Sequence, residues 1–194
     1  MRSFQLRKPI EIIDRTLTVD PGWHTGWAYW EEPDWAYWQE SDNLLEVSRK
    51  WLQKYGVLNI KKVKHGPMSR FNYMWVRFES LLKMNPQRVY IEGTAIWGNS
   101  LKSMTAAKRG DIMTLSYLIG GYMHACTIKS IDCIIISAND WKGQSTDEVI
   151  ARKCDDLFQI GLDQCTQHTL DAIGIGMSGF GLLERKQVYT RGKR

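Results

Sequence analysis

Two carboxylates, Asp20 and Glu92, each close a short run of β-branched and apolar residues, Thr16-Leu-Thr-Val-Asp20 and Arg88-Val-Tyr-Ile-Glu92. A third, Asp171, follows His168 at i, i+3 on what reads as one helix face. Hard oxygen donors at strand ends, joined by a carboxylate and an imidazole from a helix, form a set able to hold divalent cations. Phosphoryl transfer by two metals needs three or four such ligands around ions about 3.5 to 4 Å apart, one activating water and one stabilising the leaving oxygen. Each piece also has a plainer reading. An Asp before Pro21-Gly22 stabilises many turns, and a His-x-x-Asp pair is common on helix surfaces. The combination is what points to chemistry.

These groups must be positioned by a mixed α/β chain. Strands are expected at 16–20, 26–30 and 35–39, the last completing an antiparallel meander across the turn-rich Glu31-Glu-Pro-Asp34. A helix follows over 67–84, with Phe71, Met74, Trp75, Phe78, Leu81 and Leu82 at helical spacing, and Asn85-Pro86 ends it. Next come a strand at 88–92, a helix at about 103–125 and an apolar strand at 133–137 suited to a sheet interior. Ser145-Thr-Asp-Glu148 opens a helix reaching 158, and a last helix covers about 166–182 although four glycines weaken it. Trp27, Trp30, Trp35 and Trp38 read as core or dimer packing.

The chain holds 26 Lys and Arg against 21 Asp and Glu, and five of the cations with one acid lie in 184–194. A second asymmetry sets six acids in 31–46 against Arg49, Lys50, Lys54, Lys61, Lys62 and Lys64 in 49–64. That basic stretch reads either as a solvated helix face with a loop or as a surface that steers a polyanion. No run approaches the roughly 20 apolar residues of a membrane span, and no signal-peptide stretch is present, so an intracellular, cytoplasmic protein without membrane contact is expected. Cys126, Cys133, Cys154 and Cys165 form no Cys-x-x-Cys pair and lack a His-x3-His partner, which argues against zinc and disulfide frameworks. His124 beside Cys126 reads as helix packing.

Four segments resemble the RuvC-type Holliday-junction resolvases of the RNase H-like (retroviral integrase) superfamily, especially their phage-like branch. Val19-Asp-Pro-Gly22 with Thr25-Gly26-Trp-Ala28 is similar to the family's first-strand motif, and Ile91-Glu92 with Asn99 to its second acidic strand and following helix. Trp141-Lys142-Gly143 resembles the lysine loop, and His168-Thr-Leu-Asp171-Ala-Ile the final acidic helix. The resemblance spans roughly 16–180. It implies an RNase H-like mixed sheet, an antiparallel three-strand meander plus parallel strands flanked by helices, as a nuclease domain over 1–183 with a basic tail at 184–194.

It further implies a site in which Asp20, Glu92, His168 and Asp171 bind two Mg²⁺ or Mn²⁺ ions, with Lys142 at the scissile phosphate. His168 stands where many relatives carry Asp, and imidazole suits Mn²⁺ better than Mg²⁺. Ala95 occupies the family's frequent wedge position; Trp97 nearby either substitutes for it or is packed. Lys102, Lys108 and Arg109 are candidate DNA-backbone contacts. The implied activity is crossover-junction endonuclease action on branched DNA by a homodimer, in a host bacterial cytoplasm if the chain is phage-encoded. A nuclease of broader taste for flaps and forks, and a non-catalytic DNA-binding scaffold, are the alternatives. An Asp-x-Gly after a strand also opens actin-like ATPases, but those need paired domains and several Gly-rich phosphate loops, so no nucleotide cofactor is expected.

Overall fold

The computed structural model describes residues 15–31, 50–60, 67–94, 111–143, 145–161 and 165–183. Strands β1 (Thr16–Asp20) and β2 (His24–Trp30) pair antiparallel. Thr25 closes their turn: its hydroxyl donates to the Gly22 carbonyl at 2.7 Å, accepts from the Gly22 amide at 3.2 Å and meets the Tyr122 hydroxyl at 2.9 Å. That explains locally why Thr25 follows Asp-Pro-Gly, because the turn's backbone groups find a side-chain partner rather than water.

The third meander strand is β3 (Leu52–Asn59), antiparallel to β2, which corrects the expectation of a helix face or loop across the basic stretch. Gln53, Lys54, Tyr55 and Asn59 are exposed on this strand, and because adjacent residues point to opposite faces, both faces are wet along 53–55 and no clear period of two shows. Residues 35–39, expected as that strand, lie outside the described set. Helix α1 (Pro67–Leu81) continues into a 3₁₀ turn, Leu82–Met84, and stops where Asn85 takes a left-handed φ of 57°. β4 (Arg88–Glu92) then runs parallel to β1. After α2 (Asp111–Ile128), β5 (Asp132–Ile136) runs parallel to β4. Short α3 (Ala138–Trp141), α4 (Asp147–Phe158) and α5 (Gln167–Gly179) complete the order.

The sheet order is β3-β2-β1-β4-β5, so the mixed sheet expected from the sequence is present. The apolar run of β5 lies at an edge among the described strands, however, and not in the interior. Its apolarity reflects faces that meet helices, since Ile134 and Ile136 contact one core and Cys133 the other. All four cysteines are free, as expected.

Alternation along β1 and β4 decides which groups meet. Leu17, Val19, Val89 and Ile91 point into a core with Met74 and Phe78 of α1 and Leu118 and Tyr122 of α2. Thr18 and Tyr90 therefore face the opposite side, toward α5, and Asp20 and Glu92 continue that parity. On this side Thr18 Oγ1 donates to the Ala172 carbonyl of α5 at 2.7 Å and accepts from Trp30 Nε1 at 3.0 Å. The expected core role of Trp30 is borne out; it is fully buried.

The α5 glycines turn out to serve close contact. A Cβ on Gly176 would fall 2.1 Å from the Trp30 ring, and one on Gly174 would fall 2.5 Å from Trp141. Two indoles thus seat on bare helix backbone, and packing offsets the low local propensity.

Candidate active site

Asp20 and Glu92 end adjacent parallel strands, since Val19 pairs with Ile91. Helix α5 crosses the same sheet face, capped by Thr166, whose side chain accepts from the Thr169 amide. Thr169 Oγ1 also donates to the Gly56 carbonyl of β3 at 3.1 Å. The helix start is thereby pinned to the meander, and its first two turns present His168 and Asp171.

The structure brings five sequence-identified residues together. His168 Nδ1 lies 2.6 Å from Asp20 Oδ2, and Lys142 Nζ donates to Asp171 Oδ1 at 3.0 Å. Glu92 enters the cluster electrostatically, since Asp20 and Asp171 both raise its pKa. Trp97, Lys102, Lys108 and Arg109, with Asn99 and the tail, lie outside the described residues.

Other members of the site were not singled out from sequence. Trp141 Nε1 donates to Glu92 Oε2 at 2.9 Å, and Gln167 Nε2 donates to Asp171 Oδ1 at 3.0 Å. His24, at the start of β2, stacks its ring 6.4 Å from that of His168 and holds Nδ1 2.7 Å from Asn59 Oδ1. Asp147 forms a second ion pair with Lys142. Only Trp141 had a usable signal, its place beside Lys142 in the lysine loop.

Charge concentration sets the proton affinities. Burial first, then the Asp20 charge, push Glu92 up to about 7, against the Trp141 hydrogen bond; Asp171 adds to the rise. Burial raises Asp171 above the ordinary range despite the opposing Lys142 ammonium. The hydrogen bond to Asp20 raises His168. Burial alone would lower Lys142, but Asp147 and Asp171 hold its ammonium above the usual value. Burial raises the two carboxylates Glu92 and Asp171, and neighbouring carboxylates raise Glu92, His168 and Lys142, as expected of a partly buried anionic cluster.

Among the described residues no three His, Cys, Asp or Glu side chains close into a metal cage as they stand. The donor chemistry nevertheless fits hard divalent ions. Three carboxylates and an imidazole share one partly buried corner, and a cation there would offset both the burial and the Asp20 and Asp171 charges that raise Glu92.

This electrostatic picture has a measurable sign. Glu92 binds a proton more tightly in the folded than in the unfolded chain, so its contribution to stability is lost as pH rises from 4.5 to about 7. With chelator present, urea unfolding at pH 5 to 8 should show that loss, up to about 3 kcal/mol. Glu92→Gln should flatten the curve and be the more stable form at pH 8. Identical slopes for the two proteins would remove Glu92 as the source.

No protein-family model and no curated protein matches the sequence. Solved structures do match it. RuvC of Thermus thermophilus aligns with a TM-score of 0.59 at 14% identity, covering 87% of this chain and 95% of that one. The chain has the RNase H-like fold of RuvC. RuvC of the same organism in complex with a Holliday-junction substrate aligns equally well, at 12% identity over 88% of this chain and 95% of that one. Ydc2, the yeast mitochondrial Holliday junction resolvase, gives a TM-score of 0.59 at 11% identity, over 89% of this chain and 80% of that one. On this fold His168 of the His-x-x-Asp helix lies against Asp20 at the end of β1. No described helix is long and apolar enough to cross a membrane.

Proposed function

We propose that this chain is a metal-dependent endonuclease that cuts branched DNA, four-way Holliday junctions foremost, by water attack on a phosphodiester. The observation that carries the reading is the convergence of Asp20, Glu92, His168 and Asp171 at one end of a RuvC-like sheet, with Lys142 beside them. One of the matching structures holds a Holliday junction. Asp20, Glu92, Asp171 and His168 would hold two Mg²⁺ or Mn²⁺ ions. Bound ions of this kind lower the pKa of water and neutralise charge on the phosphate.

The chain's own side chains do the positioning. Trp141, buried against Gly174, fixes Glu92 through its indole N–H. Asp20 orients the His168 ring, and Lys142 carries a positive charge at the rim, where it reaches the DNA backbone. Lys102, Lys108, Arg109 and Trp97 extend that contact in this reading.

Two symmetric cuts in a junction need two sites, so a homodimer with twofold symmetry is part of the proposal. A groove of about 410 Å³ between α1 and α2, lined by Met68, Phe71, Trp75 and Tyr117, supports it. Met68 and Tyr117 are exposed there, and the buried Trp75 Nε1 has no hydrogen-bond partner among the described residues.

A cleavage gel comparing a four-way junction, a Y fork, a flap and linear duplex, each with Mg²⁺ or Mn²⁺, tests the substrate. Paired nicks at opposed positions of the junction are expected. Equal cutting of forks and flaps would shift the reading to a nuclease of broader taste, and binding without cutting to a scaffold.

A further inference from the structure

Lys142 has two acidic partners, Asp171 Oδ1 at 3.0 Å and Asp147 Oδ1. The two are unlike. Asp171 belongs to the carboxylate cluster and its side chain is 16% exposed, whereas Asp147 is the first residue of α4 and its side chain is 57% exposed. The ammonium therefore straddles the rim, bonded to one member of the site and to one bystander. On the other side the Trp141 ring lies with its centroid 5.2 Å from Nζ.

An ammonium and a divalent cation repel when they share a carboxylate. Lysine, with a flexible four-carbon stem and three rotatable donors, exchanges acceptors without backbone movement. Asp147 is already within its reach and, as the opening residue of a twelve-residue helix, has a fixed backbone position.

We propose that Lys142 is the resident counter-cation of Asp171, and that a divalent ion entering the site displaces it onto Asp147, a positioning residue that keeps the ammonium at the rim. The inference rests on the metal-dependent reading above and deepens it. Occupancy of Asp171 by metal and delivery of Lys142 toward the DNA backbone become one event. Asp147 acts through Lys142 alone.

Calorimetric titration of the full chain with Mn²⁺, without DNA, tests this. Lys142→Met, which keeps the length of the stem, should bind Mn²⁺ about tenfold tighter than the wild type, because a charge-assisted hydrogen bond no longer competes. Its junction cleavage should fall at the same time. Asp147→Asn should weaken Mn²⁺ binding by up to about fivefold, since an ammonium left with Asp171 as its remaining carboxylate partner of the two holds that carboxylate more tightly against the ion. In the Lys142→Met background the same Asp147→Asn change should leave affinity within about twofold. Lys142→Gln serves as a second variant, with circular dichroism to confirm that each protein is folded. Equal weakening by Asp147→Asn in both backgrounds would show that Asp147 acts on the ion by its charge, and would overturn the proposal. So would Lys142 variants that bind Mn²⁺ no better than wild type. A wild-type chain that binds no Mn²⁺ would overturn the metal site itself, and this inference with it.

Discussion

Asp20→Asn should lower four-way-junction cleavage by at least about a thousandfold while leaving the fold and junction binding intact. Its carboxylate ends β1 beside Glu92 and accepts a hydrogen bond from the His168 ring at 2.6 Å. Asn keeps the size and an acceptor oxygen for that bond, so the change isolates charge. Junction affinity comes mainly from Lys and Arg contacts to phosphates away from the cut, and removing a negative charge near DNA should preserve or raise it. A second readout is internal to the protein. Because Asp20 is one cause of the raised Glu92 pKa, Asp20→Asn should move the Glu92 titration downward, which carboxyl NMR follows. Combining Asp20→Asn with Asp171→Asn should add little further loss, since groups acting as a unit are non-additive. Normal cutting by Asp20→Asn would show that the strand-end carboxylate takes no part in the chemistry.

Gly26→Ala should cost the most stability of any single-methyl addition discussed. A Cβ there would lie 1.8 Å from the His168 carbonyl oxygen and 2.1 Å from its carbon, backbone against backbone. Neither β2 nor α5 can yield by a rotamer change, so the helix start must lift from the sheet. Overpacking of this kind costs about 1 to 3 kcal/mol, and occasionally more. The shift would also carry His168 away from Asp20, so cleavage should fall together with the urea midpoint. Gly120→Ala and Gly121→Ala in α2 provide the opposite control. A Cβ at either meets nothing within 4 Å, and each substitution should be neutral or stabilise by about 0.5 to 1 kcal/mol. A Gly26→Ala protein as stable as the wild type would mean that the β2 to α5 contact is looser than this geometry.

Elements whose residues report one environment were legible in the sequence. β1 and β4 are short, buried runs that each stop on a carboxylate, and both were delimited at 16–20 and 88–92 as observed. The strand-end positions of Asp20 and Glu92 and the helical spacing of His168 and Asp171 were legible because they are local properties, whereas Lys142 was reached only through the resemblance of Trp141-Lys142-Gly143 to a lysine loop. β3 was not legible, because Gln53, Lys54 and Tyr55 are exposed in succession on both faces of the strand and, with Asn59, imitate a polar loop. The edge position of β5 was hidden for a related reason: an apolar run reports covered faces and says nothing about neighbours within the sheet. The α5 glycines looked like weak helix formers because their value lies in indoles from Trp30 and Trp141, distant in the sequence. The Trp141 bond to Glu92 spans 49 residues and the His168 bond to Asp20 spans 148. Neither distance leaves a local trace.

The central claim is that the corner formed by Asp20, Glu92, His168 and Asp171 cuts branched DNA only when divalent ions neutralise it. The most direct test is a single-turnover assay of the wild-type chain on a labelled four-way junction, run in parallel with Mn²⁺ and with EDTA. The account predicts paired nicks with Mn²⁺ and an intact, still-bound junction with EDTA. Cleavage at the same rate in EDTA, or none with either Mn²⁺ or Mg²⁺ by a folded and junction-bound protein, would contradict it.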